Sequence, residues 1–130
     1  MGTVQGTLYL VFRRGRLNEK TCTPRPVIDT VGRPGQAPGL SAFENLSLRR
    51  GEVAQVIDVT MLQHPLCAIP DNVAEGGTPG HVSIVPNNVA GEVNLQLLDE
   101  WTATRGQAPP HALTRNVMSA IVQSNVRQQP

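Results

Sequence analysis

Twelve glycines and eleven prolines in 130 residues are gathered where regular structure would otherwise run. Residues 18–40 hold four prolines and three glycines, and residues 63–80 hold three of each. Proline lacks the backbone donor that a helix or ladder needs, and glycine raises the entropy cost of ordering. Both stretches therefore read as long loops, with Val27-Ile28 a candidate short strand inside the first. Irregular segments of that length in a small domain are more often binding loops than linkers.

Between and after these loops lie short elements. Thr7–Phe12 (TLYLVF) is rich in β-branched and aromatic residues and predicts a strand that ends at the Arg13-Arg14-Gly15 turn. Val53–Thr60 predicts a second strand, and His81–Val85 a third that Pro86 stops. Leu40–Leu48 is ambiguous, with one helical turn beginning near Ser41 as one reading. The last third changes period. Val93, Leu97 and Trp101 recur at helical spacing and predict a helix over Glu92–Thr104, its opening acid suited to the helix dipole. Ala112, Leu113, Val117, Ala120 and Ile121 predict a second helix from His111 to Val126, preceded by Pro109 and Pro110. Strands first and helices last imply an α+β fold: a small mixed or antiparallel sheet with long loops, covered by two C-terminal helices. Residues 1–130 are expected to form a single domain.

Hydrophobic content of 39% with 16% charged residues argues against global disorder. No apolar run approaches the length of a membrane span. Cys22 and Cys67 are far apart and predict reduced thiols in a cytoplasmic setting. His64 and Cys67 have ligand-like spacing, but Pro65 lies between them and a second local pair is missing, so no metal site is expected. The net charge of +1 divides into +5 over residues 1–50 and −4 over residues 51–130, and ten of the eleven cations are arginine. Arginine suits phosphate, so the first half is a candidate anion site; biased codon usage explains the same count. Only four aromatic side chains are present, too few for a base-stacking platform, and nucleic acid is a disfavoured partner.

None of the common nucleotide, hydrolase or zinc signatures is present. Three segments carry polar groups in constrained settings. Gly32-Arg33-Pro34-Gly35-Gln36-Ala37-Pro38 holds Arg33 in a rigid loop, where it meets an anion or merely decorates a turn. Gly39-Leu40-Ser41-Ala42-Phe43-Glu44 presents Ser41 either as a helix cap or as a hydroxyl aimed at a ligand. Gly80-His81-Val82-Ser83-Ile84-Val85-Pro86 sets His81 at a strand mouth, as an acid, a base or a satisfied structural histidine. His64 and His111 flank prolines and read as structural.

Taken in order, these segments resemble a family of cytoplasm-acting type VI secretion effector toxins with an ADP-ribosyltransferase-like fold. The resemblance is carried by Thr7-Leu8-Tyr9, by Gly32-Arg33-Pro34-Gly35 with Ala37-Pro38, and by Gly39-Leu40-Ser41-Ala42-Phe43-Glu44. Leu48-Arg49-Arg50 and His81-Val82-Ser83-Ile84-Val85-Pro86 complete it. It implies a toxin that arrests a bacterial cell from within, delivered by a secretion system and neutralised by a small cognate immunity protein. The bacterial target is not specified.

The resemblance also implies a cleft that takes NAD as co-substrate, with Arg33, Ser41 and His81 as site residues. Arg33, aided by Arg13 or Arg14, would hold phosphate. Ser41 and His81 would hydrogen-bond ribose or nicotinamide, and Tyr9 or Phe43 would stack on a ring. The expected reaction is cleavage of the nicotinamide–ribose bond, through an oxocarbenium-like state, or transfer of ADP-ribose. Three departures stand out. Leu10 occupies the position at which the family carries arginine, Leu40 stands for a threonine, and no E-x-E or Q-x-E pair occurs. Glu44, Glu92 and Glu100 are the candidate substitutes. The competing expectations are a toxin of the same fold that acts by binding its target without NAD, and an RNase that uses His81 with Arg13 or Arg14.

Overall fold

The computed structural model describes residues 6–12 and 19–127. A six-stranded sheet, antiparallel at every pairing, carries two helices. The strands are β1 (Thr7–Phe12), β2 (Leu40–Phe43), β3 (Val53–Asp58), β4 (Leu66–Pro70), β5 (His81–Pro86) and β6 (Ile121–Val126), in the order β4-β5-β2-β1-β3-β6. The helices are α1 (Leu95–Ala103) and α2 (Ala112–Ser119).

The core follows from strand alternation. Leu8 and Leu10 of β1, Leu40 and Ala42 of β2, Val82 and Ile84 of β5 and Leu66 and Ala68 of β4 are all buried. They join Leu98 and Trp101 of α1 and Leu113 and Val117 of α2 in one hydrophobic cluster. Alternate residues point to the same face, so Tyr9, Ser41, Phe43, His81 and Ser83 share the opposite face. Registers Tyr9↔Phe43, Ser41↔Ser83 and Phe43↔His81 align them across three neighbouring strands.

Pairing is uneven across the sheet. β1 and β3 are matched over all six residues, from Thr7↔Asp58 to Phe12↔Val53. β1 and β2 meet only at Tyr9↔Phe43. Beyond that pair the two strands part on the Leu40–Ser41 side, and a cavity lies there.

Several expectations need correction. Leu40–Phe43 is a strand and not a helical turn, so Ser41 caps nothing. Four residues are too few to display a period, and β2 exists because β5 pairs along its whole length. β4 lies inside what the prolines of 63–80 suggested was loop. As an edge strand paired only with β5, it tolerates a terminal proline. Val27-Ile28 enters a 3₁₀ turn over Ile28–Thr30 and is not a strand.

The helix expected over His111–Val126 ends at Ser119, and Ile121–Val126 turns back as β6 along the otherwise open edge of β3. Its β-branched residues serve either period, and an edge in need of a partner decides between them. The first helix is shorter than Glu92–Thr104: Asn94 caps it by accepting the Leu97 N–H at 3.1 Å, leaving Glu92 outside. His111 caps α2, its Nδ1 accepting the Leu113 N–H at 3.0 Å, in agreement with a structural role. No helix among the described residues is long and apolar enough to cross a membrane.

Candidate functional site

Ser41 and His81 lie on adjacent strands, diagonal to one another across the β2–β5 pairing. The Ser41 hydroxyl is 3.0 Å from His81 Nε2. On the other side of the ring, Nδ1 is 2.8 Å from Asp71 Oδ1. Asp71 follows β4 directly, and its N–H continues the ladder by donating to the His81 carbonyl at 2.9 Å. Three neighbouring strands in the order β2, β5, β4 thus present serine, histidine and aspartate as one hydrogen-bonded row.

A carboxylate only accepts, so an Nδ1 proton is assigned to the Asp71 side; in a neutral ring that leaves Nε2 as the acceptor for the Ser41 O–H. Burial is graded along the row. Asp71 has 1% of its side chain exposed and His81 8%, whereas Ser41 is exposed. The second Asp71 oxygen accepts the Thr78 N–H at 2.9 Å and lies 3.4 Å from Gln36 Nε2. The buried carboxylate is therefore fully engaged, as it must be to persist in the interior. Phe43 fixes the ring from another direction, edge to face, with centroids 5.4 Å apart.

The Gly32–Pro38 loop reaches this row for a local reason. Arg33 and Gln36 exchange backbone hydrogen bonds of 2.9 and 2.8 Å around Pro34-Gly35. Gly35 has φ +75°, in the place where a type II turn with proline ahead of it needs glycine. It is also pressed against the segment after β4, where a Cβ would overlap the Asn72 carbonyl and the Gly77 N–H. Asn72 N–H donates to the Gly35 carbonyl at 2.7 Å. That contact brings the Gln36 amide beside the His81 ring, its Nε2 3.1 Å from Nδ1 and donating to Asp71 Oδ2 at 3.4 Å, and sets Arg33 at the rim. At Gly39 (φ +131°) the chain passes over β5, where a Cβ would strike the Ile84 carbonyl.

Two cavities open at Ser41. One, of about 160 Å³, is polar and bounded by Arg33, Gln36, His81, Ser83 and the Ile28–Val31 stretch. The other, of about 280 Å³, lies where β1 and β2 part, between Leu10, Phe12, Thr23, Leu40 and Arg105. Ser41, Arg25 and Asp29 line both and stand at their junction. Arg25 holds Asp29 through Nε and Nη2, each 3.2 Å from a carboxylate oxygen, and by its backbone N–H at 2.6 Å. The side-chain hydrogen bonds and the charge of Asp29 raise the Arg25 guanidinium above its ordinary value. The Arg105 Nε donates to the Thr23 carbonyl at 3.1 Å. Among the described residues, Arg33 makes no ion pair.

Of the residues singled out in the sequence, Arg33, Ser41 and His81 come together at one cavity. Phe43 backs His81, Tyr9 lies opposite Phe43 on β1, and neither lines the two cavities. Arg13 and Arg14 lie outside the described residues. Arg49, Arg50, Glu44, Glu92 and Glu100 are exposed and line neither cavity, while Arg105, from the acidic half of the chain, does. The carboxylates that reach the site are Asp71 and Asp29. Asp71 carries no signal in the sequence, because the prolines around β4, the strand that places it, read as loop. No cluster of three or more metal-ligating side chains occurs among the described residues. Compared with known proteins, the chain matches no family model, no curated protein and no solved structure.

Proposed function

We propose that this protein is a toxin that arrests bacterial growth from the cytoplasm, with an ADP-ribosyltransferase-like cleft that takes NAD. The observation that carries the reading is the convergence of Arg33, Ser41 and His81, distant in sequence, on one cavity. These are the three positions that the resemblance to the effector family marks as site residues. Two cavities that share Ser41 and the Arg25–Asp29 pair, with Arg33 on one and Arg105 on the other, also suit, in kind, a ligand of two nucleoside halves linked by pyrophosphate.

In this reading Arg33 and Arg105, one at each cavity, hold the phosphates, with Arg25 at the junction. Ser41 and His81 orient the ribose through hydrogen bonds, and Leu10, Phe12 and Leu40 offer apolar surface to a ring. NAD supplies a nicotinamide–ribose bond whose rupture leaves a cationic sugar. Holding the ribose while the leaving group departs is the positional contribution of this row. The paired glutamate of such transferases has no counterpart at the cleft, and Asp29 is the carboxylate at the junction. NAD hydrolysis therefore fits the site better than transfer to a fixed acceptor. A small immunity protein that covers the cleft is the partner this reading implies.

Induced expression in a bacterium tests the proposal, together with incubation of purified protein with NAD while free nicotinamide is followed. Wild-type protein should stop growth and release nicotinamide. Ser41→Ala and His81→Ala should lose both effects while keeping the native circular dichroism spectrum. Absence of any growth effect from the wild type would remove the toxin reading. Arrest without nicotinamide release would leave a toxin that acts by binding its target. A folded Ser41→Ala variant with full toxicity would remove the assignment of Ser41.

A further inference from the structure

The row Ser41–His81–Asp71 has a geometry that can be read without reference to NAD. An exposed hydroxyl lies 3.0 Å from Nε2 of an imidazole, and the opposite nitrogen of that ring faces a buried, hydrogen-bonded carboxylate at 2.8 Å. These are the geometric relations by which a serine becomes a nucleophile: base within reach of the hydroxyl, base oriented by a third group. We propose that Ser41 is an activated nucleophile, with His81 as its general base and Asp71 as the positioning residue. The substrate class is a small ester or thioester that carries an anionic group.

The cavity sets that class. A polar space of about 160 Å³ accommodates a short acyl group beside Ser41 and His81, and Arg33 at its rim suits a carboxylate or phosphate on the substrate. In the first step Ser41 Oγ bonds to the acyl carbon and its proton moves to His81 Nε2. The bond from carbon to the leaving oxygen or sulfur breaks, and the departing group takes that proton as an alcohol or thiol. In the second step a water gives its proton to His81 and adds to the acyl carbon. The bond to Oγ breaks, Oγ recovers the proton, and a free acid leaves. No oxidant, metal or further reactant is needed. Asp71 takes no proton; it keeps Nδ1–H pointed at itself and Nε2 open to the hydroxyl.

The test uses the purified chain with a small fluorophosphonate, which reacts as Oγ–P forms and fluoride departs. Intact-mass and peptide mass spectrometry should place one phosphonyl group on Ser41. Ser41→Ala should show none there, and His81→Ala should label at least roughly 100-fold more slowly. Asp71→Asn, which retains the shape but reverses the hydrogen bond, should label at least roughly 10-fold more slowly. Because loss of a buried carboxylate can unfold the chain, a measurement on the wild type stands beside the variants. Nitrogen-15 NMR of the His81 ring should report the Nδ1–H tautomer. No adduct on Ser41, labelling of Asp71→Asn or His81→Ala at the wild-type rate, or an Nε2–H tautomer would each overturn the proposal. Labelling and nicotinamide release are separate readouts. A Ser41 adduct in a protein that releases no nicotinamide supports this inference and removes the NAD reading; the reverse result does the opposite.

Discussion

Trp101 illustrates how single side chains secure the site's foundation. It is fully buried, and its Nε1–H donates to Thr114 Oγ1 at 2.9 Å. Thr114 lies 2.6 Å from Thr23, whose own hydroxyl donates to the Glu19 carbonyl at 2.7 Å. Each hydroxyl has one proton, so the chain runs in one direction: Trp101 to Thr114, Thr114 to Thr23, Thr23 to Glu19. It fastens both helices to the segment that carries Thr23 and Arg25 into the cleft. Thr114→Val keeps the volume but leaves the indole N–H buried without an acceptor. Urea denaturation should show a loss of about 2–3 kcal/mol, and Thr114→Ser should recover most of it. A Thr114→Val variant as stable as the wild type would show that the indole finds another acceptor. At this scale Arg33, Ser41 and His81 were legible, because glycines and prolines isolate each of them in a constrained setting. Asp71, in Pro70-Asp71-Asn72, carries no such mark, and only its pairing with His81 reveals it.

At the scale of elements, the turn that leads into Ile28–Thr30 carries strain beside the cleft. Val27 has φ 66° and ψ −59°, and the Ile28 N–H donates to the Pro26 carbonyl at 2.7 Å. That is a γ-turn in its rare strained form, with a β-branched residue at the centre. The conformation costs about 1–3 kcal/mol in a non-glycine residue. Glycine removes most of that cost and returns about 0.5–1 kcal/mol through the entropy of the unfolded chain. Val27→Gly should therefore raise the melting temperature by roughly 3–5 °C, as read by calorimetry. Since Val27 is 76% exposed, little packing is lost in exchange. A lower melting temperature would mean that the valine side chain contributes contacts that outweigh the strain. Its neighbours Ile28 and Val31 line the smaller cavity, so the strained turn lies next to the candidate site.

For the molecule as a whole, the buried thiols predict a loss of stability at alkaline pH. Cys22 is fully buried, and burial pushes its pKa up to about 11 despite a side-chain hydrogen bond with Thr21 that acts the other way. Burial also raises Cys67. In the unfolded chain a thiol titrates near ~8.5. A raised folded value means that the stabilisation is complete below that pH and fades as pH rises towards about 11, because the unfolded chain releases its proton first. Chemical denaturation at a series of pH values should show stability falling across that window. Cys22→Ala should flatten the slope, whatever its effect on absolute stability. An unchanged slope in that variant would place the titration elsewhere. Below the window the native thiols should resist thiol-modifying reagents, since the thiolate is the reactive form.

By itself the sequence determined the strands that begin at Thr7, Val53 and His81, that helices belong to the last third, and which three polar residues sit in constrained settings. Those are local matters of period, propensity and backbone freedom. Only the tertiary structure decided that Leu40–Phe43 and Leu66–Pro70 are strands and that Ile121–Val126 leaves its helix. A four- or five-residue segment has too few positions to express a period, and its conformation is set by the edge it pairs with. The same cause governs the site. Asp71 meets His81, and Gln36 meets both, because strands β4 and β5 and a glycine contact bring separate loops together. The division of charge into a basic and an acidic half likewise does not fix the make-up of the site, where Arg105 from the second half joins Arg25 and Arg33 at the cavities.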